Sequence, residues 1–231
     1  MQYKMHVYAV QECVVDAKSM LEVADLECVR GDRTLFSGLN FSLDGGELLR
    51  IAGANGSGKT SLLRIVCGLL SPTEGDVRWH GSSIRSLREE YWKDIIYLGH
   101  SSAVKDDLTA AENLIVACAL AGKQVNREQA RAALHCFGLA ECEGLPAKVL
   151  SQGQRRRVSL ARLILSEHLP LWILDEPFTA LDAAAVDYME TLIARHVARG
   201  AAVLLTTHQE PRFAAASMIT IDLNAQVSLT C

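Results

Sequence analysis

The sequence predicts an α/β fold: a mostly parallel sheet core with an antiparallel β edge and an inserted α-helical subdomain. Three observations predict it. Short, continuously apolar segments alternate with amphipathic helical ones, as in a buried parallel sheet. One apolar segment runs straight into a glycine-rich loop that opens a helix. Residues 107–167 then change to an almost wholly helical pattern before the apolar strands resume. The chain has 231 residues, 49% hydrophobic and 22% charged, which suits a single ordered domain. Residues 1–19 are expected to be a variable N-terminal extension with no active-site role, and 20–231 a single domain, with the helical subdomain at about 101–165.

The elements follow in order. Residues 21–29 and 34–43 alternate with period two around the turn-rich Arg30-Gly31-Asp32-Arg33, an antiparallel pair. Asp44-Gly45-Gly46 is a second turn, and Glu47 to Ala52 a short buried strand. A helix is expected from Gly58 to about Leu70, with Leu62, Leu63, Ile65, Val66 and Leu69 on its buried side, stopped by Ser71-Pro72-Thr73-Glu74-Gly75. Val77 to Trp79 and Ile95 to Leu98 read as strands. Thr109 with Glu112, and Asn126 with Gln129, fit capping boxes that open two helices of the inserted lobe. Leu171 to Leu174 returns to the sheet. A helix near 183–199 and a strand at 202–206 complete the alternation.

Composition excludes several functions. A net charge of −4 and an aromatic content of 6% argue against a nucleic-acid partner. The apolar run from Leu114 to Ala121 is far short of the roughly 20 residues of a spanning helix. The seven cysteines form no Cys-x-x-Cys pair and the seven histidines no His-x-x-x-His pair, so the cysteines read as reduced core thiols and a zinc site is not expected.

Two motifs carry chemistry. Gly53, Ala54, Asn55, Gly56, Ser57, Gly58, Lys59, Thr60 and the following Ser61 match the phosphate-loop pattern G-x-x-x-x-G-K-S/T. Chance predicts roughly 0.004 such matches in a chain of this composition, and a strand before and a helix after complete the required context. Backbone N–H groups and the helix N-terminus would bind phosphate. Lys59 would reach the β- and γ-phosphates of a nucleotide, and the Thr60 hydroxyl would ligate Mg²⁺. The second motif is the apolar strand ending in Asp175-Glu176. A parallel strand delivers such acids to its C-terminal end, where ligands bind. Asp175 would hold the Mg²⁺, and Glu176 would orient the attacking water or accept its proton.

Leu150-Ser151-Gln152-Gly153-Gln154, about two dozen residues before Asp175, resembles the Leu-Ser-Gly-Gly-Gln signature of the ATP-binding subunits of ABC transporters. The resemblance spans residues 20–210 and implies an ABC ATPase cassette. It implies a homodimer of cassettes closing on ATP, in which Ser151, Gly153 and Gln154 of one copy complete the site of the other. It further implies that Ala180-Leu181-Asp182 is the loop linking the two sites, and that His208 is the switch histidine contacting the γ-phosphate and Glu176. Ser151 also reads as a plain helix cap. The Arg155-Arg156-Arg157 run is expected to be a solvated helix face.

Two positions depart from the family pattern. His100 falls where a glutamine usually ligates Mg²⁺ and meets the membrane subunit; it is either a modified coupling-loop residue or a structural surface residue. Arg30 stands where an aromatic side chain usually stacks on adenine, and a guanidinium plane can stack on a base. Residues 26–36, 97–100 and 108–114 are most similar to the haem-exporter subgroup of bacterial cytochrome c biogenesis. That similarity implies an integral membrane transporter subunit as partner, a peripheral place on the cytoplasmic face of the inner membrane, and an indirect involvement of haem, with hydrolysis driving release of a haem-loaded periplasmic chaperone. The alternatives are the ATP-binding subunit of another ABC transporter, or a soluble ABC ATPase outside transport.

Overall fold

The computed structural model describes residues 19–208 and 218–224, so the expected extension lies outside the described residues except for Ser19. Strands β1 (Leu21–Arg30) and β2 (Arg33–Leu43) pair antiparallel across the Gly31-Asp32 turn. Strand β3 (Leu48–Ala52) leads through the phosphate loop into helix α1 (Lys59–Val66). Strands β4 (Glu74–Trp79) and β5 (Ser82–Ser83), short helices α2 (Ile84–Leu87) and α3 (Glu89–Lys93), and strand β6 (Ile95–Leu98) follow. The inserted lobe holds α4 (Ala110–Leu120), α5 (Arg127–Cys136), two 3₁₀ turns and α6 (Gln152–Leu165). Strand β7 (Leu171–Asp175), helix α7 (Ala183–Ala198), β8 (Ala202–Thr206) and β9 (Met218–Asp222) complete the described chain.

The strands form two sheets. One is antiparallel, in the order β2-β1-β4-β5, so the hairpin expected at an edge belongs to a four-stranded sheet of its own. The other is parallel, in the order β6-β7-β8-β3-β9. Its central strands are buried on both faces. Trp172, Leu174, Val203 and Leu205 pack toward the helices of the insert and α7. Their alternate neighbours Leu171, Ile173, Ala202 and Leu204 pack toward α1 and the antiparallel sheet. The period of two splits continuous apolar strands between two cores.

Both capping boxes of the insert form, at Thr109–Glu112 and Asn126–Gln129. Two expectations need correction. Helix α1 stops at Val66, not near Leu70, because Gly68 adopts φ +70°. Its N–H donates to Ile65 O and that of Leu69 to Arg64 O, a Schellman turn that satisfies the last carbonyls. Leu69, placed on the buried side from the sequence, is consequently 56% exposed. The sequence reading also missed β9, an edge strand whose side chains are only partly covered.

Candidate functional site

The parallel sheet brings four strand ends to one edge. There β3 feeds the phosphate loop, β6 the Gly99-His100 loop, β7 ends at Asp175 and β8 at Thr206. They surround a cavity of about 500 Å³ lined by Leu35, Asn55, Gly56, Gly58, Lys59, Thr60, Ser61, His100, Asp175, Glu176, Thr179 and His208. Most of the phosphate loop, the acidic pair, His100 and His208 thus meet at one place, although they are up to 153 residues apart in sequence (208 − 55).

The geometry is built from short contacts. The Thr60 hydroxyl donates to Asp175 Oδ2 at 2.9 Å, and the Thr206 hydroxyl to Asp175 Oδ1 at 2.8 Å. Asp175 is 2% exposed, so its charge is held in place by two hydroxyls. Glu176 adopts φ +50°, an unusual conformation for a non-glycine residue, with its N–H donating to Thr206 O and Oγ1. The His208 N–H donates to Glu176 Oε2 at 3.4 Å, and His208 Nε2 stands 3.5 Å from Glu176 Oε1. Lys59 Nζ donates to Gly53 O at 2.7 Å and Ala54 O at 3.0 Å, folded back on its own loop. The Ala54 N–H donates to Asn224 Oδ1 at 3.1 Å.

These features fit a nucleotide with its metal. Glu176 Oε1, in the cavity lining, is buried without a hydrogen-bond partner among the described residues. A buried polar atom left unpaired costs free energy unless a ligand or water completes it. Among the described residues Lys59 Nζ donates to two carbonyls, which leaves one of its three N–H bonds for phosphate. Thr60 and Asp175 present hard oxygens side by side, the donor type Mg²⁺ takes together with phosphate oxygens. Among the described residues no cluster of three or more His, Cys, Asp or Glu could hold a metal by itself.

The signature lies outside the cavity lining. Ser151 caps α6, accepting from Gln154 N while Gln154 Oε1 accepts from Ser151 N, a reciprocal capping box. Gln152, which stands where the Leu-Ser-Gly-Gly-Gln signature has its first glycine, is exposed. Gly153 packs so closely on the Ala180-Leu181-Asp182 loop that a Cβ there would lie 2.8 Å from Ala180 O. Asp182 caps α7, accepting from Ala185 N, with Arg157 Nη1 at 3.7 Å. Arg30 is exposed at the end of β1 and does not line the cavity. It is Arg33 whose Nη1 comes within 3.8 Å of the position a Cβ on Gly56 would occupy.

The expectation for the arginine run is overturned at Arg156, while Arg155 and Arg157 are partly exposed. Arg156 is 3% exposed and its guanidinium donates to four backbone carbonyls around the cavity, those of Gly99, His100, Asp175 and Glu176. Arg155 donates to Leu150 O and pairs with Asp106, and Arg157 donates to Phe137 O. A signal was present. Arg156 heads the spacing 156, 159, 160, 163 shared by buried Ser159, Leu160 and Leu163, the i, i+3, i+4, i+7 stripe of an inward helix face.

The sequence model of the ABC transporter family matches residues 36–179. The chain belongs to the ABC transporter family. It is an ABC-type ATPase and binds ATP. The cassette is 55% identical over 203 residues to a protein of Nitrosospira multiformis named cytochrome c biogenesis ATP-binding export protein CcmA, covering 88% of this chain and 98% of that one. A protein of the same name from Dechloromonas aromatica is 52% identical over 204 residues, covering 88% and 100%. Among solved structures, the ATP-binding subunit of an ABC transporter superposes with a TM-score of 0.73 at 28% identity, over 82% of this cassette and 80% of that chain. A dimeric ATP-binding cassette in a post-hydrolysis state, bound to ADP and Pi, gives a TM-score of 0.75 at 24% identity over 87% and 94%, a likeness of fold.

Proposed function

We propose that this cassette is the ATP-hydrolysing subunit of a bacterial ABC transporter complex for haem export in cytochrome c biogenesis. The observation that carries this reading is the match over 88% of this chain, at 55% and 52% identity, to relatives named as ATP-binding export proteins of cytochrome c biogenesis. Its partner would be an integral membrane subunit of the same system, with the cassette docked on the cytoplasmic face of the inner membrane. Among the described residues no helix is long and apolar enough to cross a membrane, which supports peripheral attachment through such a partner. Haem would be involved indirectly, through release of a haem-loaded periplasmic chaperone.

In this reading the phosphate loop, residues 53–61, cradles the triphosphate, and Lys59 turns from the Gly53 and Ala54 carbonyls to the β- and γ-phosphates. Thr60 and Asp175 would hold Mg²⁺, with His100 also lining the cavity. The metal supplies neutralisation of phosphate charge when bound. Glu176 orients water for in-line attack on the γ-phosphate and takes up its proton, and His208 keeps the Glu176 carboxylate placed. Ser151, Gly153 and Gln154 of a second copy close over the phosphates, where the N-terminus of α6 favours an anion. Asp182 joins the two sites, and Arg30, exposed outside the cavity lining, would have to fold in over the base to stack on it.

The test is genetic and biochemical. Deleting the gene in its host should abolish covalently haem-bound c-type cytochromes, read by haem staining. The wild-type gene should restore them, and one carrying Lys59→Ala should not, with nucleotide affinity of the purified variant falling in parallel. Normal cytochrome c maturation in the deletion strain would exclude the reading.

A further inference from the structure

Arg156 is a buried cation with no carboxylate hydrogen-bonded to it among the described residues. Its Nη1 donates to Gly99 O at 2.8 Å and His100 O at 3.4 Å, and its Nη2 to Asp175 O at 3.0 Å and Glu176 O at 2.8 Å. Nε has no partner among the described residues. Burial pulls the guanidinium's pKa down, while the charges of Asp175 and Glu176 pull it back up. An arginine desolvated to this extent costs free energy that its contacts must offset. The contacts it makes are specific. They join three segments distant in sequence: helix α6, which starts at the signature; the end of β7, which carries the acidic pair; and the loop after β6, which carries His100. One of the four carbonyls belongs to Glu176, which sits in the sparsely populated left-handed region. Such a conformation persists only where its surroundings hold it.

We propose that Arg156 is a positioning residue whose guanidinium clamps the backbone of Glu176 to the His100 loop, so that carboxylate and loop move as one body with α6. A displacement of the loop, or of the signature helix, is thereby passed to the group that orients water. The planar fork of arginine can span both carbonyl pairs, whereas an ammonium, a compact point charge, cannot. The inference rests on the proposed role of Glu176.

The experiment uses the full chain with Arg156→Lys and, as a second variant, Arg156→Gln. In the nucleotide-free protein, amide hydrogen exchange should rise at residues 99–101 and 175–178 while remaining unchanged in β3 and α1. Nucleotide affinity should stay within about threefold, because Lys59 and Thr60 are untouched, while kcat should fall roughly tenfold or more, as expected for a misplaced reacting group. Placed in a Glu176→Gln background, Arg156→Lys should cause no further loss of kcat, the non-additivity of two residues acting through one group. Wild-type exchange and kcat in both variants would overturn the proposal. So would a loss of protection across the whole chain, or failure of both variants to fold, since either outcome makes Arg156 a packing residue. If Glu176→Gln itself turns over at the wild-type rate, the role of Glu176 falls. A silent Arg156→Lys beside an inactive Glu176→Gln removes only the clamp.

Discussion

The cavity and the start of helix α6 treat their polar groups in opposite ways. Around the cavity, Glu176 Oε1 is buried without a hydrogen bond among the described residues, and the Lys59 ammonium makes two hydrogen bonds with its three donors. At the start of α6, Ser151 and Gln154 satisfy each other through a closed capping box on an exposed surface. The first region is incomplete without a ligand; in the second the Ser151 oxygen already serves its own helix as cap acceptor, and its hydroxyl proton is what it has left to offer another copy. The two halves of the proposed site therefore differ in what they need. One needs a nucleotide, and the other needs a partner that carries one.

The largest expected effect tests the incomplete half. Glu176→Gln keeps the shape of the side chain and removes its charge and its capacity as a base. Hydrolysis should fall by about 10²–10⁴-fold, the range for removing a general base, while ATP binding persists, because Lys59 and Thr60 supply it. Steady-state phosphate release and equilibrium nucleotide binding measure the two quantities separately. Wild-type turnover would mean that the Glu176 carboxylate has no part in the chemistry.

His196 sharpens the comparison, because it also carries buried atoms unpaired among the described residues and yet does not line the cavity. Both its ring nitrogens lack partners among the described residues, and the ring stacks on Trp172 at 3.6 Å between centroids. Burial, reinforced by the Arg199 charge, lowers its pKa to about 4. The fold therefore holds the neutral ring, and the unfolded chain binds the extra proton between about pH 6.5 and 4. This contribution is fully present above about pH 6.5 and is lost as pH falls toward 4, a change of about 3 kcal/mol in all. His196→Phe keeps a stacked ring without a titrating group, so denaturant melts from pH 7 to pH 4.5 should lose that part of the slope. An unchanged slope would assign the acid sensitivity to other groups.

What was legible in the sequence follows the same division. The phosphate loop has a fixed local spacing, and continuous apolar strands announce a doubly buried sheet, so Lys59, Thr60, Asp175 and Glu176 could be placed without coordinates. Thr206 was not legible as a partner of Asp175, because the two meet only through the pairing of β7 with β8. Asn224 reaches Ala54 from 170 residues away, for the same reason. The Arg155–Arg157 run misled because three successive charges resemble a solvated face, and the helical period that buries Arg156 appears only when Ser159, Leu160 and Leu163 are read with it. Leu69 misled because the apolar pattern outruns the helix, which Gly68 ends first.

The smallest effect tests the self-satisfied half. Ser151→Ala removes the cap acceptor for Gln154 N and should cost about 1 kcal/mol of stability, the usual value for an N-cap serine. Ser151→Asp keeps a cap acceptor and should preserve stability, but it places a negative charge where a second copy would have to receive phosphate. If Ser151 is only a cap, the aspartate variant hydrolyses ATP at the wild-type rate and the alanine variant is merely less stable. If the α6 start also closes over a nucleotide held by another copy, the order reverses, and the stable aspartate variant loses more activity than the weakened alanine variant. Thermal denaturation and ATP turnover on the same three proteins separate the two roles, because a cap acts within one chain and phosphate closure requires two.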